Sequence, residues 1–121
     1  MRGMTLQQTI LTPLTPSVDS RIGLSLDALV ELCQKWGVKS IALFGSILRE
    51  DFTSDSDIDF LVSFRSDARQ GLIKQVKMKH ELESIVNRKV DIVVRESVEE
   101  SENWIRRHEI LTTAQVIYEQ R

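Results

Sequence analysis

The chain has 121 residues, 41% of them hydrophobic and 28% charged, with a net charge of −2. That length supports one modest core and excludes two, and the near-neutral balance excludes the global pull toward nucleic acid that a strongly basic domain has. The lone Cys33 excludes an internal disulfide, no apolar run approaches the ~18 residues of a membrane span, and Met1–Thr9 lacks a signal-peptide core. A cytoplasmic setting with no membrane contact and no direct nucleic-acid binding is expected.

Residues 1–24 hold both prolines, Pro13 and Pro16, among Thr and Ser with no sustained period, and read as a loosely structured arm; residues 25–121 read as the folded domain. Ser25 suits a helix N-cap. Leu26, Leu29, Val30, Cys33 and Trp36 then recur at helical spacing, and Gly37 suits the left-handed residue past a helix end. Val38–Phe44 is an apolar run of strand length, and Ile47–Phe52 suits a brief helix directly after Gly45-Ser46. Asp57–Phe64 predicts a second strand, with Ile58, Phe60, Val62 and Phe64 on one face and Asp57, Asp59, Leu61 and Ser63 on the other.

Arg69–Val86 predicts an amphipathic helix whose apolar stripe is Leu72, Ile73, Val76, Leu82, Ile85 and Val86. Val90–Val94 predicts a third strand that again opens near a carboxylate, Asp91. Ser97 with Glu100 matches a capping box, so a further helix is expected to start there. Val116–Tyr118 either finishes that helix or forms a short edge strand. Helices alternating with strands imply an α/β (α+β) fold with a small mixed β-sheet flanked by helices.

Two features carry chemistry. Aspartate is depleted from strands and costly to bury unpaired, yet Asp57 and Asp59 stand at i and i+2 on one face of an apolar strand. Two strand rises separate them by roughly 6–7 Å, which suits reaching one divalent cation or bridging a pair about 3.5–4 Å apart. Asp91 joins them if its strand pairs beside theirs. Mg²⁺ takes hard oxygen ligands and commonly combines one or two carboxylates with substrate phosphates. The plainer reading is a strand mouth with solvated or arginine-paired aspartates. Gly45-Ser46 adds weight to the first reading, because a glycine at a strand-to-helix turn lets backbone N–H groups approach a phosphate. Ser46 supplies a hydroxyl donor, and Arg49 lies one turn further on.

Together, Gly45, Ser46, Arg49, Ser56, Asp57 and Asp59 match a Gly-Ser-x10-Asp-x-Asp pattern. It resembles the signature of the nucleotidyltransferase superfamily that includes DNA polymerase β, and more narrowly that of the minimal nucleotidyltransferase (MNT) domains of the MntA antitoxin type. The resemblance covers roughly residues 25–119. His80-Glu81-Leu82-Glu83 leading into Arg88-Lys89-Val90-Asp91-Ile92-Val93 resembles the family's third-carboxylate region. The chain departs from the pattern at Glu50, where glycine is common, and at Phe60, where leucine is common.

The resemblance implies a nucleotidyltransferase fold with ATP as substrate and two Mg²⁺ ions held by Asp57, Asp59 and Asp91. It implies that Gly45 and Ser46 cradle the β- and γ-phosphates and that Asp91 serves the attacking hydroxyl. It also implies a HEPN-domain RNase toxin of the HepT type as partner, with AMP transferred onto a toxin tyrosine. The chain length fits that reading, since no residues are left for an acceptor domain. The alternatives are an antitoxin that acts by binding alone and a small-molecule nucleotidyltransferase.

The remaining features read plainly. His80 and His108 are helix-face residues, Cys33 is structural, and Lys74, Lys77, Lys79, Arg88 and Lys89 form a solvated basic face. Trp104, Ile105, Leu111 and Tyr118 read as core.

Overall fold

The computed structural model describes residues 9–11, 25–49, 52–53, 55–65 and 71–120. A five-stranded mixed sheet runs in the order β1-β5-β2-β3-β4, from β1 (Thr9–Leu11), β2 (Val38–Phe44), β3 (Ile58–Phe64), β4 (Val90–Val94) and β5 (Gln115–Gln120). β3 and β4 run parallel, whereas β2 pairs antiparallel with β3 and with β5, and β1 pairs antiparallel with β5. Helices α1 (Leu26–Trp36), α2 (Leu72–Val86), α3 (Arg95–Glu99) and α4 (Trp104–Thr113) flank it, with a 3-10 turn at Gly45–Leu48. None of these helices is long and apolar enough to cross a membrane.

Local chemistry sets the boundaries. Ser25 Oγ accepts the Ala28 N–H at 3.3 Å to start α1, and Gly37, at φ 71°, ends it with its N–H on Cys33 O. At the end of α2, Asn87 takes the left-handed conformation (φ 56°), and Glu83 Oε2 then receives the Val90 N–H at 3.0 Å, tying the start of β4 to the helix.

The period-2 alternation of β3 sorts its side chains into two cores. Ile58, Phe60 and Val62 are fully buried with Leu29, Leu32, Cys33, Met78 and Leu82 beneath α1 and α2. Leu61 points the other way and packs with Ala42, Phe44, Val98 and Ile110 beneath α3 and α4. On that second face Ser63 Oγ donates to Glu96 Oε2 at 2.7 Å, holding α3 to the strand. Burial pushes the Cys33 thiol up to about 12, so it remains a protonated, inert part of the core.

Several expectations change. The arm contributes an edge strand, because Thr9–Leu11 pairs along the outer edge of β5; residues 1–8 and 12–24 lie outside the described residues. Val116–Tyr118 is therefore an inner strand, with partners on both sides. The capping box does not form. The helix there begins at Arg95, directly from β4, so that Val98 can plug the second core, which leaves Ser97 inside the helix. A new helix starts at Asn103, whose Oδ1 accepts the Arg106 N–H at 3.1 Å.

The apolar stripe of α2 is also displaced. Met78, Leu82 and Val86 are buried, whereas Leu72 and Ile73 are 77% and 74% exposed. At ~100° per residue the two groups point roughly 120° apart, so one contact face cannot cover both. Trp104 and Ile105, read as core, are 64% and 63% exposed on the first turn of α4.

Candidate active site

β2 delivers the chain to one end of the sheet, where Gly45 turns it. Antiparallel pairing sets Phe44 opposite Asp59, and parallel pairing sets Asp59 opposite Asp91. The turn and two of the carboxylate positions therefore occupy one row across three neighbouring strands. Asp57 enters just before β3.

Gly45 is required in two ways. Its φ of +82° is a conformation that side-chain-bearing residues rarely adopt, and a Cβ built there would overlap Asp59 Oδ2. The close approach puts the backbone turn directly against the carboxylate. Gly45→Ala is expected to lose about 1–3 kcal/mol of stability, read as a fall in Tm, and to displace Asp59, read as a loss of nucleotide transfer beyond the stability effect.

Asp59 is the electrostatic centre. Burial pushes its carboxyl above the ordinary 3.8, the negative charges of Asp91 and then Asp57 push the same way, and Arg49 and Arg106 pull it down. Asp91 and Asp57 therefore both act on Asp59. None of them is in an ion pair with a described residue. Among the described residues no three Asp, Glu, His or Cys side chains close into a ready metal cage. The donors present are nonetheless all carboxylate oxygens under like-charge repulsion, which suits a hard cation that arrives with further oxygen ligands on its substrate.

The segment before Asp57 is shaped by its own side chains. The Ser56 N–H donates to Thr53 O at 3.1 Å, and Ser56 Oγ receives the Thr53 N–H at 3.0 Å. Arg88 Nη2 donates to Thr53 O at 2.6 Å and Ser56 O at 3.2 Å, while its guanidinium lies 4.4 Å from the Phe52 ring centroid. Arg88 is therefore a staple across the loop that presents Asp57, where the sequence suggested a solvated basic face. Glu50 lies outside the described residues.

Beside the turn opens a cleft of about 990 Å³, lined by Phe44, Gly45, Leu48, Arg49, Arg106, Glu109, Ile110 and Thr113. It lies in the size range of small-molecule sites and has the mixed apolar and polar walls they share. Gly45 and Arg49 were legible from the motif. Arg106 was not: it comes from α4, which reaches the site only because β5 follows that helix and pairs back onto the end of β2. Asp57 lines a smaller recess of about 400 Å³ with Asp55, Ser56, Asn87, Arg88 and Lys89.

A glycine turn thus packs against a strand-borne carboxylate beside a cleft lined by two arginines. The chain belongs to the nucleotidyltransferase domain family, whose model matches residues 27–115, and it is an enzyme of that class. It is 35% identical over 68 residues to protein adenylyltransferase MntA of Thermococcus cleftensis, covering 56% of this chain and 67% of that protein. Its fold is similar to a crystal structure of a toxin–antitoxin with AMP-PNP, at TM-score 0.60 and 19% identity over 81% of this chain and 76% of that one. A tri-AMPylated Shewanella oneidensis HEPN toxin in complex with MNT antitoxin also matches in fold, at TM-score 0.50 and 20% identity over 74% of this chain and 66% of that chain.

Proposed function

We propose that this chain is a cytoplasmic antitoxin that transfers AMP from Mg-ATP onto a tyrosine hydroxyl of a HEPN-type RNase toxin. The observation that carries the reading is the contact of Gly45 with Asp59, in register with Asp91, at the edge of the arginine-bearing cleft. Similarity to a protein adenylyltransferase supports the choice of a protein acceptor, and the fold shared with an MNT antitoxin bound to an AMPylated HEPN toxin supports the choice of partner.

In this reading the hydroxyl oxygen forms a bond to the α-phosphorus as the bond to the β-phosphate bridge breaks, and pyrophosphate leaves. Gly45 and Ser46 hold the β- and γ-phosphates through backbone N–H groups and the serine hydroxyl, and Arg49 faces the same anion. Asp57, Asp59 and Asp91 would hold two Mg²⁺ ions, which would neutralise phosphate charge and lower the pKa of the hydroxyl. Asp91, exposed at the strand mouth, receives the departing proton. Catalysis is mainly positioning and charge neutralisation. The exposed Trp104 and Ile105 offer apolar surface for a protein acceptor. An AMP phosphate added near the RNase site would bring negative charge where RNA must bind.

The test is the intact mass of the HEPN partner after incubation with the chain and Mg-ATP. A gain of one or more AMP units is expected, and Asp57→Asn combined with Asp59→Asn should abolish it. A tight complex with no mass gain from the unaltered chain would replace this reading with neutralisation by binding alone.

A further inference from the structure

Arg106 is a cation on the cleft wall that no part of the Gly-Ser-x10-Asp-x-Asp pattern contains. It stands in the first turn of α4, where its backbone N–H is fixed on Asn103 Oδ1. Three further residues of the same helix, Glu109, Ile110 and Thr113, line the cleft with it, at the i+3, i+4 and i+7 positions that share a helix face. Arg49 lines that cleft from the turn side. Arg106 has no ion-pair partner among the described residues, so its charge is not committed to holding the fold. Phe44 and Gly45 line the same cleft, which places Arg106 at the end of the sheet where the turn lies.

We propose that Arg106 is a polyphosphate-binding residue that, together with Arg49, sets the preference of this site for a nucleoside triphosphate over a monophosphate. The inference rests on the nucleotide-transfer reading above. Glu109 fixes where the anion goes. Its carboxylate would repel phosphates placed deeper along α4, so the favourable position is between the two guanidiniums at the Gly45 end. Arginine suits the task, because its planar fork pairs with phosphate oxygens in a bidentate way that a lysine point charge does not reproduce. Arg106 therefore discriminates by chain length of the phosphate and leaves the base to other walls of the cleft.

The test is equilibrium binding of ATP, AMP and inorganic pyrophosphate to the isolated chain with Mg²⁺, free of any acceptor. The unaltered chain should bind ATP more tightly than AMP. Arg106→Ala should weaken ATP and pyrophosphate about 10-fold or more, the scale of one charge-assisted hydrogen-bond pair, and leave AMP within about twofold. Arg106→Lys should recover only part of the loss, and Lys77→Ala, on the exposed face of α2, should change none of the three. Equal ATP affinity in the unaltered and Arg106→Ala chains overturns the role of Arg106 while the nucleotide-transfer reading stands. Failure of the unaltered chain to bind ATP at all overturns both.

Discussion

Asp59→Asn is expected to abolish measurable nucleotide transfer while making the metal-free protein more stable at neutral pH. On activity, removing one preorganised electrostatic group of this kind slows an enzyme by about 10²–10³-fold, and a residue that also holds a cation sits at the upper end. On stability the sign follows from the carboxyl's raised pKa, caused by burial first and by Asp91 and Asp57 next. A carboxyl raised in the folded state favours folding when protonated. Its contribution is full below the unfolded value near 3.8 and is lost as pH rises through the folded value. Asparagine keeps the neutral form at every pH, so the variant escapes that loss. Thermal melts at pH 7 without divalent cation should show a higher Tm for the variant. Adding Mg²⁺ should raise the Tm of the unaltered chain and leave that of the variant nearly unchanged. A variant that melts lower at pH 7 would mean that the carboxylate stabilises the fold rather than serving the site.

The same residue illustrates what a sequence can and cannot disclose. Asp59 was legible because an acidic residue on an alternating apolar strand breaks a local rule, and such breaks gather where function outweighs stability. Gly45 was legible because glycine-serine stood at the end of an apolar run. Their contact was not, since it depends on the antiparallel register that sets Phe44 opposite Asp59. Arg106 was invisible for the same reason carried further: nothing in the spacing of Trp104–Thr113 says that this helix returns to the end of β2. The helix starts at Ser25 and the αL glycine at Gly37 were legible because capping is local chemistry. The capping box at Ser97 failed where a tertiary demand, the burial of Val98, outweighed a local preference. Arg88 looked like one more lysine-rich surface residue because the carbonyls it holds belong to a loop whose path no periodicity encodes.

Phe60→Ala is expected to have the largest effect on stability, and it separates the two faces of β3. Phe60 is fully buried on β3, between β2 and β4, and belongs to the larger core beneath α1 and α2. Truncating a buried phenylalanine costs about 3–5 kcal/mol, combining lost transfer energy with the cavity left behind. Against a total of about 5–15 kcal/mol for a domain of ordinary stability, that is a large share of the whole. Urea unfolding should show a markedly lower midpoint with an unchanged m-value, since the surface exposed on unfolding hardly alters. Leu72→Ala, on the exposed turn of α2, should stay within about 0.5 kcal/mol of the unaltered chain. An equally small effect at Phe60 would contradict the packing of this strand. One residue earlier, on the opposite face, Asp59→Asn should move stability upward and activity to nothing. The alternation that directs Ile58, Phe60 and Val62 into the core is thus what leaves Asp57 and Asp59 at the mouth of the sheet. A one-residue slip of β3 would bury the carboxylates and expose the phenylalanine. The packing face therefore protects the register on which the chemistry depends.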